Sequence, residues 1–478
     1  MNKLDFIKHA FRGGGVVGAA VVIQFIVGFG VQVTLTRMLE PEVFGQIAFA
    51  AAVGMLLNSL TDAAGDKYVI QSSENSRNKL DSVFTLELIL ALFFVVLVFI
   101  IAPFAMAAID KPDSTLLVQV LAFAYFYNPL VRPRCIFEKD LNFLRAKLPI
   151  VVSQVVCGVI TIFLAWSGFG IWSLVFWRLS VLFCEVLILW AIAMYRPKLA
   201  WNTELVRGGL NFGWPLMCAG FLGFFAQNIS YLFIGALDNS DELSGYYWLA
   251  FQFSVYFLKV REIIYSVLFP IFSRIESSGS KAELFERITK AVSGLFILPV
   301  LVAVYFAHEL ILTIFGEKWE PSVIPFQIIF LTTLIRAINS NVGYFLQSQG
   351  ITNAALTAVS VNLIFLLPSG FILSQKYGIN GMAYAVLMCD CIAAYVVYER
   401  FIRPLTNYGF WHFFSRPLLV SSGAYLSALL VQYFDLGFIY KLSIFIMILV
   451  FAYFLILKSP CRDVLQGFKM VRANRSSA

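Results

Sequence analysis

Charged side chains are scarce in this sequence, and their scarcity argues against a soluble protein. Asp, Glu, Lys and Arg together make up 13% of the 478 residues, whereas soluble domains contain about 25%. Hydrophobic residues account for 60% of the chain and include 48 Phe and 9 Trp. Because a run of about 20 apolar residues can cross a bilayer as a helix, the sequence predicts an all-α integral membrane protein with many spans.

Residues that serve catalysis or metal binding are few as well. The 3 His are scattered along the chain, and the 7 Cys lie mostly in apolar segments, without the spacing of a disulfide framework or a zinc site. The loops between apolar segments are short, so they leave no room for a soluble catalytic domain. We therefore expect no enzymatic activity, no metal and no cofactor.

Fourteen apolar segments are candidate membrane spans. They cover residues 13–35, 43–64, 83–108, 115–136, 148–167, 170–194, 208–237, 243–269, 291–315, 322–346, 354–374, 379–400, 416–434 and 438–457. Of the 35 Lys and Arg residues, 26 fall on the same side as the N-terminus and 5 on the other side. Since cytoplasmic loops carry the excess of Lys and Arg, both termini are expected in the cytoplasm. The net charge of +7 therefore reflects topology and does not indicate nucleic-acid binding.

The two halves of the chain resemble each other. Val43–Gln46 matches Leu243–Tyr246 at an offset of 200 residues, and Gly168–Trp172 matches Lys376–Asn380 at an offset of 208. Weak internal symmetry of this kind is typical of parallel repeats in membrane transporters. We therefore predict two six-helix pseudo-symmetric lobes, 1–200 and 201–403, a C-terminal helix pair in 404–458, and a cytoplasmic tail, 459–478.

The eighth span is apolar, yet its inner half carries Lys259, Arg261 and Glu262. Each charge near the bilayer centre costs about 2.5–3.5 kcal/mol on insertion scales, so such a cluster must face other helices or a wet cavity. At 100° per residue, Gln252 and Tyr256 share a stripe with Lys259, and Glu262 lies at its margin. Two interpretations stay open: a structural Lys259–Glu262 pair, or a cationic lining for the path of an anionic substrate.

Amide side chains lie in the first and seventh spans. Gln24 is in the first span, and Asn228 follows a helix break predicted at Pro215 in the seventh. With the second and eighth, these spans are the first two helices of each half, which a two-lobed transporter places around a central cavity. The amides either form hydrogen bonds between helices or line that cavity.

Acidic residues lie at the inner end of the second span. Asp62 and Asp66 share a face at i, i+4 spacing, and Asp62 corresponds to Glu262 by the offset of 200. These carboxylates either pair with Lys67 or Arg134 or carry a coupling ion.

Other intramembrane charges are predicted to be structural. Arg178 and Glu185 share a face of the sixth span, two turns apart. Arg336 and Asp390 have no charged neighbour within their own spans. We expect these residues to form ion pairs within the lobes.

Three segments carry a resemblance to a known family. They are Leu39–Gly45 after the first span, Phe137–Phe143 after the fourth, and Leu268–Arg274 after the eighth. Each resembles the corresponding turn of bacterial polysaccharide flippases, the polysaccharide transport branch of the multidrug/oligosaccharidyl-lipid/polysaccharide exporter superfamily. The resemblance covers nearly the whole chain, including the number of spans.

This resemblance implies a function in surface polysaccharide biosynthesis, namely O-antigen, capsule or exopolysaccharide. A polyprenyl-pyrophosphate-linked oligosaccharide would move from the cytoplasmic to the periplasmic leaflet of the bacterial inner membrane by alternating access of two lobes. The implied partners are this lipid-linked oligosaccharide, membrane lipids, a polysaccharide polymerase and the chain-length machinery, with no nucleic acid. Coupling to an H⁺ or Na⁺ gradient is compatible with the family.

The residue types suit such a substrate. A pyrophosphate needs fixed cations in a wet cavity with low-dielectric walls, and sugars need amide and aromatic partners. The predicted substrate-binding residues are Lys259, Tyr256, Gln252, Gln24, Asn228 and Arg261. The candidates for binding a coupling ion are Asp62, Asp66 and Glu262.

Two other functions stay open. A cation-coupled small-molecule or multidrug antiporter would use Asp62 and Asp66 for coupling. An integral membrane glycosyl-transferring or polymerising enzyme would normally have a sizeable extramembrane loop with acid and base residues, which is missing here.

The charge asymmetry predicts a topology that reporter fusions can check. Fusions expected to report the periplasm are at Asp110, Asn239, Gly316 and Asp435, and those expected to report the cytoplasm are at Ser73, Asn202, Ser278 and Ala478. Paired reporters, one active only in the periplasm and one only in the cytoplasm, provide the control at each position. An opposite result at any position would refute the fourteen-span topology.

Overall fold

The computed structural model describes residues 3–62, 77–140, 142–193, 195–237, 240–274, 278–349, 351, 353–433 and the single positions 443, 445 and 447. The regular secondary structure of these residues is helical, and none of them forms a strand. The chain divides into two compact units, Met1–Trp248 (unit one) and Leu249–Ala478 (unit two).

The helices of unit one are α1 (Lys3–Met38), α2 (Pro41–Gly54), α3 (Asn58–Thr61), α4 (Arg77–Ala108), α5 (Thr115–Ala122), α6 (Tyr127–Leu130), α7 (Arg134–Lys139), α8 (Phe143–Trp166), α9 (Ile171–Ile192) and α10 (Thr203–Leu237). Helix α11 (Asp241–Arg274) begins in unit one and continues into unit two. Unit two also contains α12 (Ser278–Tyr305), α13 (Ala307–Phe315), α14 (Val323–Ser348), α15 (Asn353–Val397), α16 (Arg403–Thr406) and α17 (Phe410–Tyr433).

The fold is that of a multi-pass membrane protein. In the described part of the chain, 9 helical stretches are long and apolar enough to cross a membrane. Large apolar side chains such as Phe104, Phe163 and Ile372 are exposed on their outer faces, as a lipid-facing surface requires. Where they are described, the first thirteen predicted spans fall on helical segments, and the second and fourth are divided into shorter pieces. Most of the fourteenth, 438–457, lies outside the described residues, so the total of fourteen stays a prediction.

Helix α10 differs from its prediction in one respect. The break predicted at Pro215 is wrong, because α10 runs continuously through this residue. Proline is tolerated within membrane helices when neighbouring groups satisfy the freed backbone carbonyl. Although α10 falls within the predicted second lobe, it packs on α2, α3 and α4 inside unit one. The lobe boundaries themselves stay predictions.

The predicted internal correspondence recurs in the backbone. Gly170 and Gly378, which match at the offset of 208, have φ/ψ of 51°/−126° and 57°/−137°. Positive φ strongly favours glycine, so both positions select the same residue for the same reason. At the offset of 200, α2 begins at Pro41 and α11 begins at Asp241. The two halves therefore share these local backbone features.

The first turns of α2 and α11 cross through a reciprocal glycine contact. A Cβ atom at Gly45 would lie 1.7 Å from the Asp241 carbonyl oxygen, and a Cβ atom at Gly245 would lie 1.9 Å from the Pro41 carbonyl oxygen. Lys111 stabilises the same crossing, because its side chain is buried and its Nζ lies 2.6 Å from Asp241 Oδ1. The two glycines therefore allow the helix backbones to touch.

The segment between α9 and α10 is held against the start of α4. The Tyr195 hydroxyl donates a hydrogen bond to Asp81 Oδ1, and the Lys198 backbone N–H donates to the same oxygen at 3.0 Å. Burial, together with the Asp81 carboxylate, raises the pKa of Tyr195 well above its ordinary value. The Ala200 N–H donates to Thr85 Oγ1 at 3.0 Å. These bonds fix the long polar linker that precedes α10.

One of the two predicted intramembrane ion pairs forms as expected. In unit two, Arg336 Nε donates to Asp390 Oδ2 at 2.7 Å, and Asn362 Nδ2 donates to Asp390 Oδ1 at 2.9 Å. The predicted Arg178–Glu185 pair is wrong. Glu185 pairs with Arg134, because α7 brings that guanidinium next to α9.

The reciprocal glycine contact predicts the effect of adding one methyl group. Gly45→Ala or Gly245→Ala should lower the free energy of unfolding by about 3 kcal/mol, because the new Cβ meets backbone that cannot move aside. Denaturant unfolding of the purified protein in detergent measures the change.

The matched control is Gly30→Ala in α1, where a Cβ atom meets nothing within 4 Å. This change should be neutral or should stabilise the helix by up to about 1 kcal/mol. Equal stability of the Gly45 and Gly30 variants would show that the helix crossing is loose.

Candidate functional site

A polar cleft lies among the apolar helices of unit one. Its volume is about 350 Å³, within the range of small-molecule sites. The lining residues are Asn58, Ser59, Asp62, Asn128, Gly220, Gly223, Phe224 and Gln227. Three separate parts of the chain therefore meet there: the inner end of the second span, the fourth span and α10.

The cleft forms where two spans are interrupted. Helix α2 ends at Gly54, and a turn leads to the single-turn helix α3. The fourth span is divided into α5, a 3₁₀ segment at Phe123–Phe126, α6 and α7. Irregular backbone at membrane depth is tolerated where it is buried in protein or lines a wet cavity. Asn128 supports the interruption, since its Nδ2 donates to the Asn58 carbonyl at 3.1 Å and to Thr61 Oγ1 at 2.8 Å.

Helix α10 supplies the opposite wall. Gly220, Gly223, Phe224 and Gln227 follow the i, i+3, i+4, i+7 spacing of one helix face and all line the cleft. Gly220 permits the close approach of α10 to α3, because a Cβ atom there would lie 3.1 Å from Ser59 Cβ. At Gly223 a Cβ atom would meet nothing within 4 Å, so this glycine faces the open part of the cleft.

A buried charge cluster stands beside the cleft. The side chains of Arg132 and Glu87 are 2% and 0% exposed. Arg132 Nε donates to Glu87 Oε2 at 2.5 Å, and its Nη2 donates to Glu87 Oε1. The same Nη2 lies 3.2 Å from Asp62 Oδ1, whose side chain is 52% exposed. We call Glu87, Arg132 and Asp62 the charge triad.

The charge triad corrects two predictions. Arg132 is one of the 26 Lys and Arg residues counted on the side of the N-terminus and is expected in a basic loop, but its guanidinium is buried against Glu87. The expected alternative of an Asp62–Arg134 pair is wrong, because Arg134 pairs with Glu185 and Asp62 contacts Arg132. The alternative of an Asp62–Lys67 pair stays a prediction. The interrupted fourth span turns Arg132 inward, a change of direction that helical periodicity does not reveal. Asp66 and Lys67 lie outside the described residues.

Two polar atoms of the cleft residues are buried without a hydrogen-bond partner in the described part of the protein. They are Asn58 Oδ1 and Ser59 Oγ. An unsatisfied buried polar group costs about 1–3 kcal/mol. Among the residues that the structure describes, no group of three or more His, Cys, Asp and Glu side chains could hold a metal ion.

The predicted substrate residues of α11 lie in unit two. Gln252, Tyr256 and Lys259 are half-buried, and Lys259 Nζ lies 4.9 Å from the centre of the Tyr256 ring, a cation–π distance. Arg261 and Glu262 belong to the same helix, but their side chains lie outside the described part. The Lys259–Glu262 pair therefore stays a prediction.

The other two predicted substrate residues lie in unit one. Gln24 is half-buried on α1, and its backbone carbonyl accepts a hydrogen bond from Gln154 Nε2 at 3.0 Å. Asn228 Nδ2 donates to the Phe224 carbonyl of its own helix at 2.8 Å. Its neighbour Gln227 lines the cleft. Among the predicted site residues whose side chains the structure describes, Asp62 lines the cleft.

Sequence comparison decides the family. Residues 34–324 match the family described as "Polysaccharide biosynthesis protein". The chain belongs to this polysaccharide biosynthesis protein family. It is 23% identical to the lipopolysaccharide biosynthesis protein WzxC of Escherichia coli K12, over 81% of this chain and 80% of that protein. It is 25% identical to the succinoglycan biosynthesis transport protein ExoT of Rhizobium meliloti 1021, over 60% and 58%.

Solved structures share the fold of this family member. A lipid II flippase MurJ structure in an inward closed conformation has a TM-score of 0.65 at 15% identity, covering 94% of this chain and 99% of that one. An inward-facing multidrug resistance transporter of the MATE family has a TM-score of 0.60 at 14% identity, covering 80% and 95%. These likenesses confirm the predicted all-α transporter fold.

Sequence reasoning missed most of the cleft. Glu87 is an acidic residue in a span that is otherwise strongly apolar, and an intramembrane acid is a functional candidate by default. Gly220 and Gln227 repeat on one face of α10, a signal that helical periodicity could have supplied. Asn128 and Arg132 carried no comparable signal, because their positions depend on the interrupted fourth span.

Because the Arg132–Glu87 pair is buried, removing Arg132 should destabilise the protein much more than removing an arginine from a surface pair. Arg132→Met should lower the free energy of unfolding by about 3–5 kcal/mol, because it leaves the carboxylate of Glu87 buried without its partner. Denaturant unfolding of the purified protein in detergent measures the loss.

The control is Arg287→Met, which removes a surface pair with Glu283 at 2.7 Å and should cost less than about 1 kcal/mol. If both substitutions destabilise equally, the Glu87–Arg132 pair is not buried as described.

Proposed function

We propose that this protein is a flippase for lipid-linked oligosaccharide in surface polysaccharide biosynthesis. Its substrate is an oligosaccharide on a polyprenyl-pyrophosphate carrier, which it moves from the cytoplasmic to the periplasmic leaflet of the bacterial inner membrane. Both termini lie in the cytoplasm. The protein is a transporter and not an enzyme, and it works beside the polymerase and chain-length machinery.

The observation that carries this proposal is a polar, charge-bearing cleft at interrupted helices within a lipid-facing bundle. Charged groups inside a membrane protein are expensive and mark the paths of substrates or ions. Interrupted helices are where transporters of several folds build their binding sites. The relatives include a transport protein for succinoglycan biosynthesis, and a lipid II flippase has the same fold. Both support the same class of cargo.

The charged part of the substrate needs a different site. The charge triad contains two carboxylates and one guanidinium, so it does not suit a pyrophosphate. Lys259 suits it better, because it is half-buried on a polar stripe with Gln252 and Tyr256. Arg261 adds a second cation on the same helix. We assign pyrophosphate binding to Lys259.

We also propose that transport is coupled to an ion gradient. Asp62 is the candidate for binding the coupling ion among the side chains that the structure describes. Its carboxylate is half-exposed at the cleft, where H⁺ or Na⁺ has access. Asp66 and Glu262 remain candidates from the sequence.

A deletion strain tests the function. Loss of the gene should abolish the surface polysaccharide and cause lipid-linked oligosaccharide to accumulate on the cytoplasmic leaflet, and the intact gene should reverse both effects. A strain that keeps its surface polysaccharide but becomes sensitive to cationic drugs would instead identify a multidrug antiporter.

Substitutions at Lys259 test its assignment in the complemented strain. Lys259→Ala should abolish transport with a normal protein level in the membrane, and Lys259→Arg should keep part of the activity, because the charge is kept while the geometry changes. The measurement is the amount of surface polysaccharide relative to the amount of this protein in the membrane.

Lys376→Ala is the matched control, since Lys376 also lies over a tyrosine ring, 5.3 Å from the centre of Tyr377, in a predicted outer loop. The double change Lys259→Ala with Glu262→Ala separates the two interpretations of the stripe. If it restores transport, Lys259 serves only as a structural partner of Glu262.

A further inference from the structure

We infer that the cleft of unit one binds an uncharged sugar ring of the transported glycan, separately from the pyrophosphate. This inference rests on the proposed flippase function and adds the chemical class that the cleft accepts. It follows from three properties of the lining: its hydrogen-bonding groups, the sign of its charge and the shape of its walls.

The cleft is rich in acceptors. Asn58 Oδ1 and Ser59 Oγ are buried without a hydrogen-bond partner in the described part of the chain, and the Asp62 carboxylate lies beside them in the same lining. A hydroxyl group can both donate and accept a hydrogen bond, so the hydroxyls of a sugar satisfy such a set. A bound sugar would remove the cost of the unsatisfied atoms, which gives affinity to a hydroxyl-bearing ligand.

The charge of the site disfavours anions. Glu87 and Asp62 each contribute a carboxylate, and both contact the single guanidinium of Arg132. Within the charge triad, carboxylates therefore outnumber guanidinium groups by two to one. A phosphate or a uronic acid would meet repulsion in a low-dielectric site, whereas an uncharged sugar would not.

The wall of α10 fits the flat faces of a sugar ring. Gly220 and Gly223 present backbone without side chains, and Phe224 lies between them and Gln227 along the same helix face. The combination of an apolar surface with a few polar groups at fixed positions is typical of small-molecule sites. Gln227 is exposed at the cleft, where its amide can both donate and accept.

A bare cation is the competing occupant. Hard cations take oxygen ligands, and Asp62, Asn58 and Ser59 could supply three. The cleft volume of about 350 Å³ is larger than a single ion requires. The glycine and aromatic residues of its wall offer no side-chain oxygen ligands to an ion. The observations therefore favour the sugar as the occupant of the cleft volume, with a coupling ion confined to Asp62. A cleft that takes a cation and no sugar becomes an outcome of the test.

The test uses saturation-transfer difference NMR on the full chain in lipid nanodiscs. The probes are methyl β-glucopyranoside, which is uncharged, and methyl β-glucuronide, which carries a carboxylate. The glucopyranoside should give ring-proton signals, and the glucuronide should bind at least about tenfold more weakly. Asn58→Ala should weaken glucopyranoside binding about fivefold, as expected for one lost hydrogen bond.

A substitution that fills the cleft tests the inference more sharply. Gly223→Leu places a side chain where a Cβ atom has open space, so the protein should fold while the cleft is blocked and the glucopyranoside signal disappears. Gly30→Leu, at another position where a Cβ atom has open space, should keep the signal.

Several results would overturn the inference. They are an absence of glucopyranoside signal in the wild type, an unchanged signal in Gly223→Leu, and equal binding of the glucuronide. Binding of ²²Na⁺ that Asp62→Asn abolishes, without any sugar signal, would assign the cleft to a cation. These binding results do not depend on transport, so a failed flippase assignment would be seen separately in the deletion strain.

Discussion

The hydrogen-bonded ion pair between Arg132 and Glu87 is the constraint on which the site depends. Two charges buried this completely lose their hydration free energy. Only close, hydrogen-bonded contacts with each other compensate for that loss. Glu87 lies on α4, and Arg132 follows α6 in the interrupted fourth span. The pair therefore fixes the fourth span against the third, and its outer contact with Asp62 fixes the end of the second. An apolar pair of similar size could hold these helices at least as well, so stability alone does not account for the charges.

The interruptions and the charges depend on each other. A continuous helix at 55–62 would satisfy its own backbone and leave no wet surface, whereas the turn after α2 exposes polar groups that Asn128 only partly satisfies. Glycines on α10 then bring the opposite wall close without filling the space. The result is a polar cleft inside unit one whose outer surface faces lipid.

The sequence predicts the fold well and the site only in part. Apolar runs locate the helices, because membrane insertion depends chiefly on local hydrophobicity, and the offsets of 200 and 208 identify matching helix starts and glycines. The sequence alone identifies Asp62 as a candidate site residue, because an acidic residue in a membrane span is unusual. Its partner could not be predicted, because Arg132 resembles a loop cation until the interrupted span turns it inward. The stripe containing Lys259 is visible from periodicity, while the approach of α10 to α3 is a tertiary property.

In the proposed flippase, the charge triad serves transport, since an apolar pair would hold these helices at least as well. The most direct measurement is flipping of a fluorescent polyprenyl-pyrophosphate oligosaccharide in proteoliposomes, followed by quenching with a membrane-impermeant reductant. The double variant Glu87→Leu with Arg132→Met replaces the buried pair by apolar side chains. This variant should fold with nearly unchanged stability, while flipping falls to the rate of protein-free liposomes. Flipping at the wild-type rate in the folded double variant would contradict this role of the charge triad.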